Sequence, residues 1–66
     1  MREIRIRQRY KKFGAPWCSW KVLESVLDRN GLRHYRLCEM KDPSIIKLVS
    51  EHALANPRFY QLEEEV

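Results

Sequence analysis

Four breaks punctuate this chain and leave only short segments between them. Gly14 and Pro16 mark the first, Asn30-Gly31 the second, Asp42-Pro43 the third and Asn56-Pro57 the fourth. Proline fixes φ and removes a backbone donor, while glycine takes left-handed conformations that other residues avoid. No long helix is expected to cross these points, and no apolar run between them is long enough to span a bilayer. The chain therefore reads as one domain over residues 1–66. A chain of that length buries a small core and is marginally stable alone.

Between the breaks the hydrophobic period predicts the elements. Ile4, Ile6 and Tyr10 alternate with Arg5, Arg7 and Arg9, which predicts a strand with one apolar and one charged face. Pro16 disfavours a helix before it, so a helix is predicted to begin near Cys18 or Ser19. Trp20, Leu23, Val26 and Leu27 then recur at helical spacing, and Asn30-Gly31 reads as the stop. Residues 33–40 predict a second strand, with Tyr35 and Leu37 on one face and His34, Arg36, Cys38 and Met40 on the other. Asp42 as N-cap and Pro43 as first helical residue predict a second helix, carrying the stripe Ile45, Leu48, Val49 and His52. Lys47 and Glu51 read as a surface pair on it. Asn56-Pro57 ends it, and Arg58–Leu62 predict a third strand. Strand, helix, strand, helix, strand favours a right-handed parallel crossover.

The stretch Phe13-Gly14-Ala15-Pro16-Trp17-Cys18-Ser19-Trp20-Lys21 carries the chemistry in this reading. It places one cysteine after Pro-Trp and before a predicted helix, whose unpaired N–H groups and dipole favour a thiolate. Lys21, one helical turn on, would add to that effect.

The same stretch resembles the active-site turn of the thioredoxin and glutaredoxin family, through Phe13, Ala15, Pro16, Trp17 and Cys18. It departs from the family at the second cysteine, since the chain reads Cys18-Ser19-Trp20-Lys21. Asn56-Pro57-Arg58-Phe59-Tyr60 resembles the family's cis-proline loop. The resemblance implies an α/β fold, a minimal thioredoxin-like βαβαβ domain with a mixed three-stranded sheet, lacking the closing hairpin and third helix. It implies a monothiol thiol–disulfide oxidoreductase without the second active-site cysteine. Cys18 would be the nucleophile, Lys21 would stabilise its thiolate, and Trp17, Asn56 and Pro57 would shape the substrate groove. Attack by Cys18 would form a mixed disulfide resolved by an external thiol. The implied substrate is a protein disulfide or glutathione, with glutathione as the cofactor. The alternative is a non-catalytic thioredoxin-fold binding or regulatory module that docks on a protein partner or forms a homodimer.

Charge and cysteine usage bound the remaining classes. The formal net charge is +4, with basic residues crowded over positions 2–12 and Glu63, Glu64 and Glu65 near the chain end. The arginine row suits nucleic-acid phosphates. The favoured expectation is instead that Glu63–Glu65 pair with Arg2, Arg5 and Arg7 from an adjacent antiparallel strand. Two cysteines make no disulfide framework, and Cys18, Cys38, His34 and His52 match no common zinc spacing. Cys38 reads as a packed strand residue. The N-terminus carries no apolar signal-peptide core, so a cytoplasmic protein with reduced thiols and no membrane association is expected.

Overall fold

The polypeptide folds into five strands and one short helix, as described by a computed structural model over residues 3–64. The elements are β1 (Arg9–Lys12), β2 (Ala15–Leu27), β3 (Arg33–Glu39), β4 (Ile46–Ser50), α1 (Glu51–Leu54) and β5 (Tyr60–Glu64). All neighbouring strands are antiparallel, in the order β4-β3-β2-β1-β5. The first four strands form a meander. The chain then crosses by α1 to the opposite edge, where β5 pairs with β1.

This overturns the expected βαβαβ thioredoxin-like fold with its mixed three-stranded sheet. The first helix of that fold is absent, and its residues lie in β2, the longest strand. The segment satisfied two periods at once. Cys18, Trp20 and Val22 alternate with Ser19 and Lys21, as a half-buried strand requires. Aromatic and β-branched residues at 17, 20, 22 and 26 also suit a pleated sheet. A bulge interrupts the alternation. Val22 pairs with Leu37 and Glu24 with Arg36, so Leu23 is left over between them and the inward parity changes. Leu23 and Leu27, expected on a buried helix face, are exposed.

The predicted stop signals are real, but they close hairpins. At the β2–β3 turn Asp28 Oδ1 accepts from the N–H groups of Asn30 (2.8 Å) and Leu32 (2.9 Å), and Gly31 takes a φ of 79°. Asp42 likewise begins a turn. Its carboxylate accepts from the Ser44 hydroxyl at 2.6 Å, and its carbonyl accepts from Ile45 N–H at 3.0 Å. The second predicted helix shrinks to α1, capped by Ser50, whose Oγ accepts from Ala53 N–H at 3.1 Å. Ile46–Ser50, read as helix, is an edge strand. The second predicted strand, residues 33–40, agrees with β3, including the inward placement of Tyr35 and Leu37. The third, Arg58–Leu62, corresponds to β5 displaced by two residues.

The core gathers on one face of the sheet. Tyr10, Val22, Tyr35, Leu37, Val49 and Tyr60 meet there, and α1 closes over them with Leu54. The sheet rolls around this cluster: Lys47, from edge strand β4, lies over the ring of Tyr60 from the opposite edge at 5.0 Å. Buried phenols need acceptors. Tyr10 donates to the fully buried Gln8 Oε1 at 2.8 Å, and that oxygen also accepts from Arg5 N–H at 2.7 Å. The expected early strand over Ile4–Tyr10 therefore begins only at Arg9. Arg7 takes a φ of 79°, and Ile4 folds back to pack against the core.

Leu37 has no exposed surface and sits in the centre of this small core. Leu37→Ala is expected to cost about 2–5 kcal/mol, comparable to the whole stability of a domain this small. Urea unfolding should show the variant largely unfolded in buffer at room temperature, whereas Leu27→Ala at the exposed hairpin should leave the midpoint nearly unchanged.

Candidate functional site: a basic and aromatic end of the sheet

The β1–β2 turn is where unusual surface chemistry collects. Phe13 and Gly14 join Lys12 to its register partner Ala15, and Gly14 takes a φ of 91° that L side chains rarely adopt. Beyond the turn the register jumps: Lys12 faces Ala15, but Lys11 faces Ser19. Residues 16–18 are thus left unpaired against β1. Proline has no N–H to give a ladder, which suits Pro16 to such a bulge.

The bulge and turn turn large rings outward. Phe13 is 71% exposed, Trp17 67% and Phe59 53%. Phe59 is held beside the turn by a 2.7 Å bond from Phe13 N–H to its carbonyl. Exposed aromatic side chains of this size are costly to leave in water. Lys11 and Lys12 precede this turn and Arg58 precedes Phe59 in the chain. Lys11, Lys12, Phe13, Gly14 and Gln61 line a shallow recess of about 330 Å³.

On the inner face at the same end, Lys47 stands over Trp20, with Nζ 3.9 Å from the ring centroid. Tyr60 is the register partner of Lys12. Burial, followed by the charge of Lys12, holds the Lys47 ammonium below the usual lysine range, while Cys18 acts in the opposite sense. Burial raises the Tyr60 phenol above its usual range, and Lys12 partly offsets that. The Trp20 Nε1–H is buried and lacks a hydrogen-bond partner.

The acidic stretch meets the basic one on the outer face, but further along than expected. Glu63 accepts from the Ser19 hydroxyl at 2.8 Å and pairs with Lys11 Nζ at 3.3 Å. Glu64 is the register partner of Arg9. Arg5 pairs with Glu3 rather than with the chain end. Arg2 and Glu65, also named in the expected pairing, lie outside the described residues.

The residues singled out from the sequence are scattered by this fold. Cys18 is half-buried in the β2 bulge, with no helix N-terminus facing it. Lys21 lies three residues further along the extended strand, about 10 Å away at strand spacing. Its register partners are Arg9 and Cys38. The lysine whose charge couples to Cys18 is Lys47, read from the sequence as a surface residue of a helix. Asn56 and Pro57 belong to the turn before β5. They line a separate recess of about 240 Å³ with His52 and Ala55, without Cys18, and no described peptide bond is cis. Trp17 alone among the expected groove residues stays beside the cysteine. Cys38 is buried on β3, as expected for a packed strand thiol. Among the described residues no three His, Cys, Asp or Glu side chains cluster as metal ligands.

Lys12, Lys47, Phe59 and Tyr60 were not legible as a group. Lys12 and Tyr60 meet only through the β1–β5 pairing, and Lys47 joins them only because Ile46–Ser50 is a strand. The one available signal was the density of rings and cations around Gly14.

Comparison with protein families, curated proteins and solved structures finds no match to this chain.

The hydrogen bond from Ser19, followed by the charge of Lys11, holds the Glu63 carboxyl below its usual value of 4.5, although burial opposes this. A carboxylate with a lowered folded-state value stabilises the fold above the unfolded value, and that contribution disappears as pH falls through the folded one. Ser19→Ala is therefore expected to cost about 0.5 kcal/mol at neutral pH, as a largely exposed contact should, and nothing once Glu63 is protonated. Denaturant midpoints of the two proteins, compared at neutral pH and below the carboxylate range, check this.

Proposed function

We propose that this protein is a non-enzymatic binding module whose basic and aromatic end receives single-stranded nucleic acid. One observation carries the proposal: Phe13, Trp17 and Phe59 are exposed rings, Phe59 is hydrogen-bonded to Phe13 of the β1–β2 turn, and Lys11, Lys12 and Phe13 line one recess there. Every base offers a π-face, so exposed rings beside phosphate-binding lysines suit an unpaired strand. A duplex would hide its base faces from those rings. The arginine row weighs the same way less strongly, since Arg5 is occupied by Glu3. An acidic protein partner would use the cations but has no comparable need for three exposed rings.

Thiol–disulfide exchange through Cys18 is the second reading, and glutathione enters only with it. Its remaining support is a partly exposed sulfur with the Lys47 ammonium nearby. The helix N-terminus, the Lys21 contact and the Pro57 groove no longer support it. Free Cys18 and Cys38 suit a reducing compartment, and a cytoplasmic location belongs to the same proposal. Among the described residues no helix is long and apolar enough to cross a membrane.

Fluorescence anisotropy with a single-stranded RNA of about ten nucleotides tests the main proposal, with the range of site sizes as the guide to length. Binding should weaken steeply with salt. Phe13→Ala and Trp17→Ala should each cost about 1–3 kcal/mol of binding free energy, and Cys18→Ser should change nothing. Equal competition by polyglutamate would move the assignment to an acidic protein partner. Accelerated exchange with a small aromatic disulfide, abolished by Cys18→Ser, would restore the thiol reading.

A further inference from the structure

We infer that Lys12 and Lys47 form a two-cation seat for one phosphodiester anion, on the inner face of the sheet between the β1–β2 turn and edge strand β4. The inference rests on the nucleic-acid reading and assigns the residues that hold the backbone while the exposed rings hold the bases.

The two lysines lie on either side of Tyr60 in the fold. Lys12 is the register partner of Tyr60 on β1, and Lys47 reaches Tyr60 from β4, 5.0 Å from its centroid. The position of Lys47 is fixed by two rings, since Trp20 lies 3.9 Å beneath its Nζ. Such contacts attract an ammonium but leave its charge uncompensated. Neither lysine is ion-paired with a carboxylate among the described residues. The neighbouring acids are engaged elsewhere. Glu39 accepts from Lys41 N–H, Glu51 from the Tyr35 hydroxyl, and Glu63 from Ser19 and Lys11.

Two like charges held together without a counter-ion raise the energy of the free protein, and an anion between them removes that cost. Burial and the proximity of Lys12 lower the proton affinity of Lys47, so the repulsion is felt in the folded state. The donors needed are already in place, because the rings hold the Lys47 ammonium before any ligand arrives. The two non-bridging oxygens of a phosphodiester can each take one ammonium.

The titratable groups on the face of Lys47 are Lys12 on β1, Cys18 on β2, Glu39 on β3, which is the register partner of Trp20, and Tyr60 on β5. Raising the pH should release the ligand below the range in which an ordinary lysine deprotonates, because the charged form of Lys47 is lost early. Lys47→Arg keeps the charge and should carry binding to higher pH than the native protein. Making the comparison in a Cys18→Ser background removes the thiol from the titration.

The full chain is titrated with a base-free deoxyribose–phosphate oligomer, with inorganic phosphate and with single-stranded RNA, followed by the indole N–H resonances of Trp17 and Trp20. The Trp20 resonance should move with the base-free oligomer. Lys12→Gln and Lys47→Gln, shown to be folded by circular dichroism, should each weaken that oligomer about tenfold, as loss of a charged hydrogen bond does. Each should lower the salt slope by about 0.7. Phe13→Ala should weaken RNA and leave the base-free oligomer unchanged. If both folded lysine variants bind the base-free oligomer as the native protein does, the seat is refuted. RNA binding that survives in those variants but is lost in Phe13→Ala would refute the seat and keep the nucleic-acid reading. Inorganic phosphate binding at the lysines as tightly as either polymer would keep the seat and refute that reading.

Discussion

The backbone ladders on the two sides of β2 hold the rest of this protein in place. β2 runs from Ala15 to Leu27, far longer than the strands it joins, and pairs with β1 along its first half and β3 along its second. Everything else is attached through those partners: β5 through β1, β4 through β3, and α1 between the two edges. One strand shared by two halves also explains the rolled shape. The bulges around residues 16–18 and at Leu23 bend it where each half begins, so that both halves turn their Tyr, Val and Leu side chains to a common interior. The small core is assembled by curvature, because a flat sheet with one helical turn has nothing to cover its apolar face.

That geometry concentrates the chemistry at one end. Trp17 and Trp20, three residues apart on the strand, lie on opposite faces: Trp17 is exposed, and Trp20, in register opposite Tyr10, packs against the core. The pairing of β5 with β1 brings Phe59 to the same turn and Glu63 to Lys11. The acidic end of the chain thus compensates cations on the outer face. Lys12 and Lys47, on the inner face, receive no such compensation.

Much of the local grammar was legible. Each predicted break is a break: Asp28 through Gly31 reverse the chain, Asp42 opens a turn, and Asn56 Oδ1 accepts from Arg58 N–H at 2.9 Å to start the approach to β5. Residues 33–40 were legible as a strand because Tyr35 and Leu37 alternate cleanly with polar neighbours. Two helices were misread, for different reasons. In Trp17–Leu27 the apolar residues Trp20, Leu23, Val26 and Leu27 happen to fall at helical spacing, but on the strand Leu23, left over at the bulge, and Leu27 are exposed. In Ile45–Ala55 a short edge strand runs directly into a single helical turn, and the apolar residues of both merge into one apparent face. The helix-based case for a tuned Cys18 thiolate fell with the first of these. Its pKa logic needed a helix N-terminus and a lysine one turn away, and an extended strand supplies neither.

The sequence by itself determined where this chain turns, which segments are too short for long helices, that it is basic, and that rings and cations crowd around Gly14. These follow from covalent properties: the fixed φ of proline, the permissive φ of glycine, and the charge of each side chain. Only the tertiary structure decided that the segment after Pro16 is a strand, and that Lys47 comes to lie over the ring of Tyr60, the register partner of Lys12; the antiparallel pairing of the last strand with the first was already expected. The physical reason is that a strand gains its hydrogen bonds from distant residues, whereas a helix gains them within four. A segment that fits both patterns is settled by whether partner strands exist, and that is a property of the whole chain.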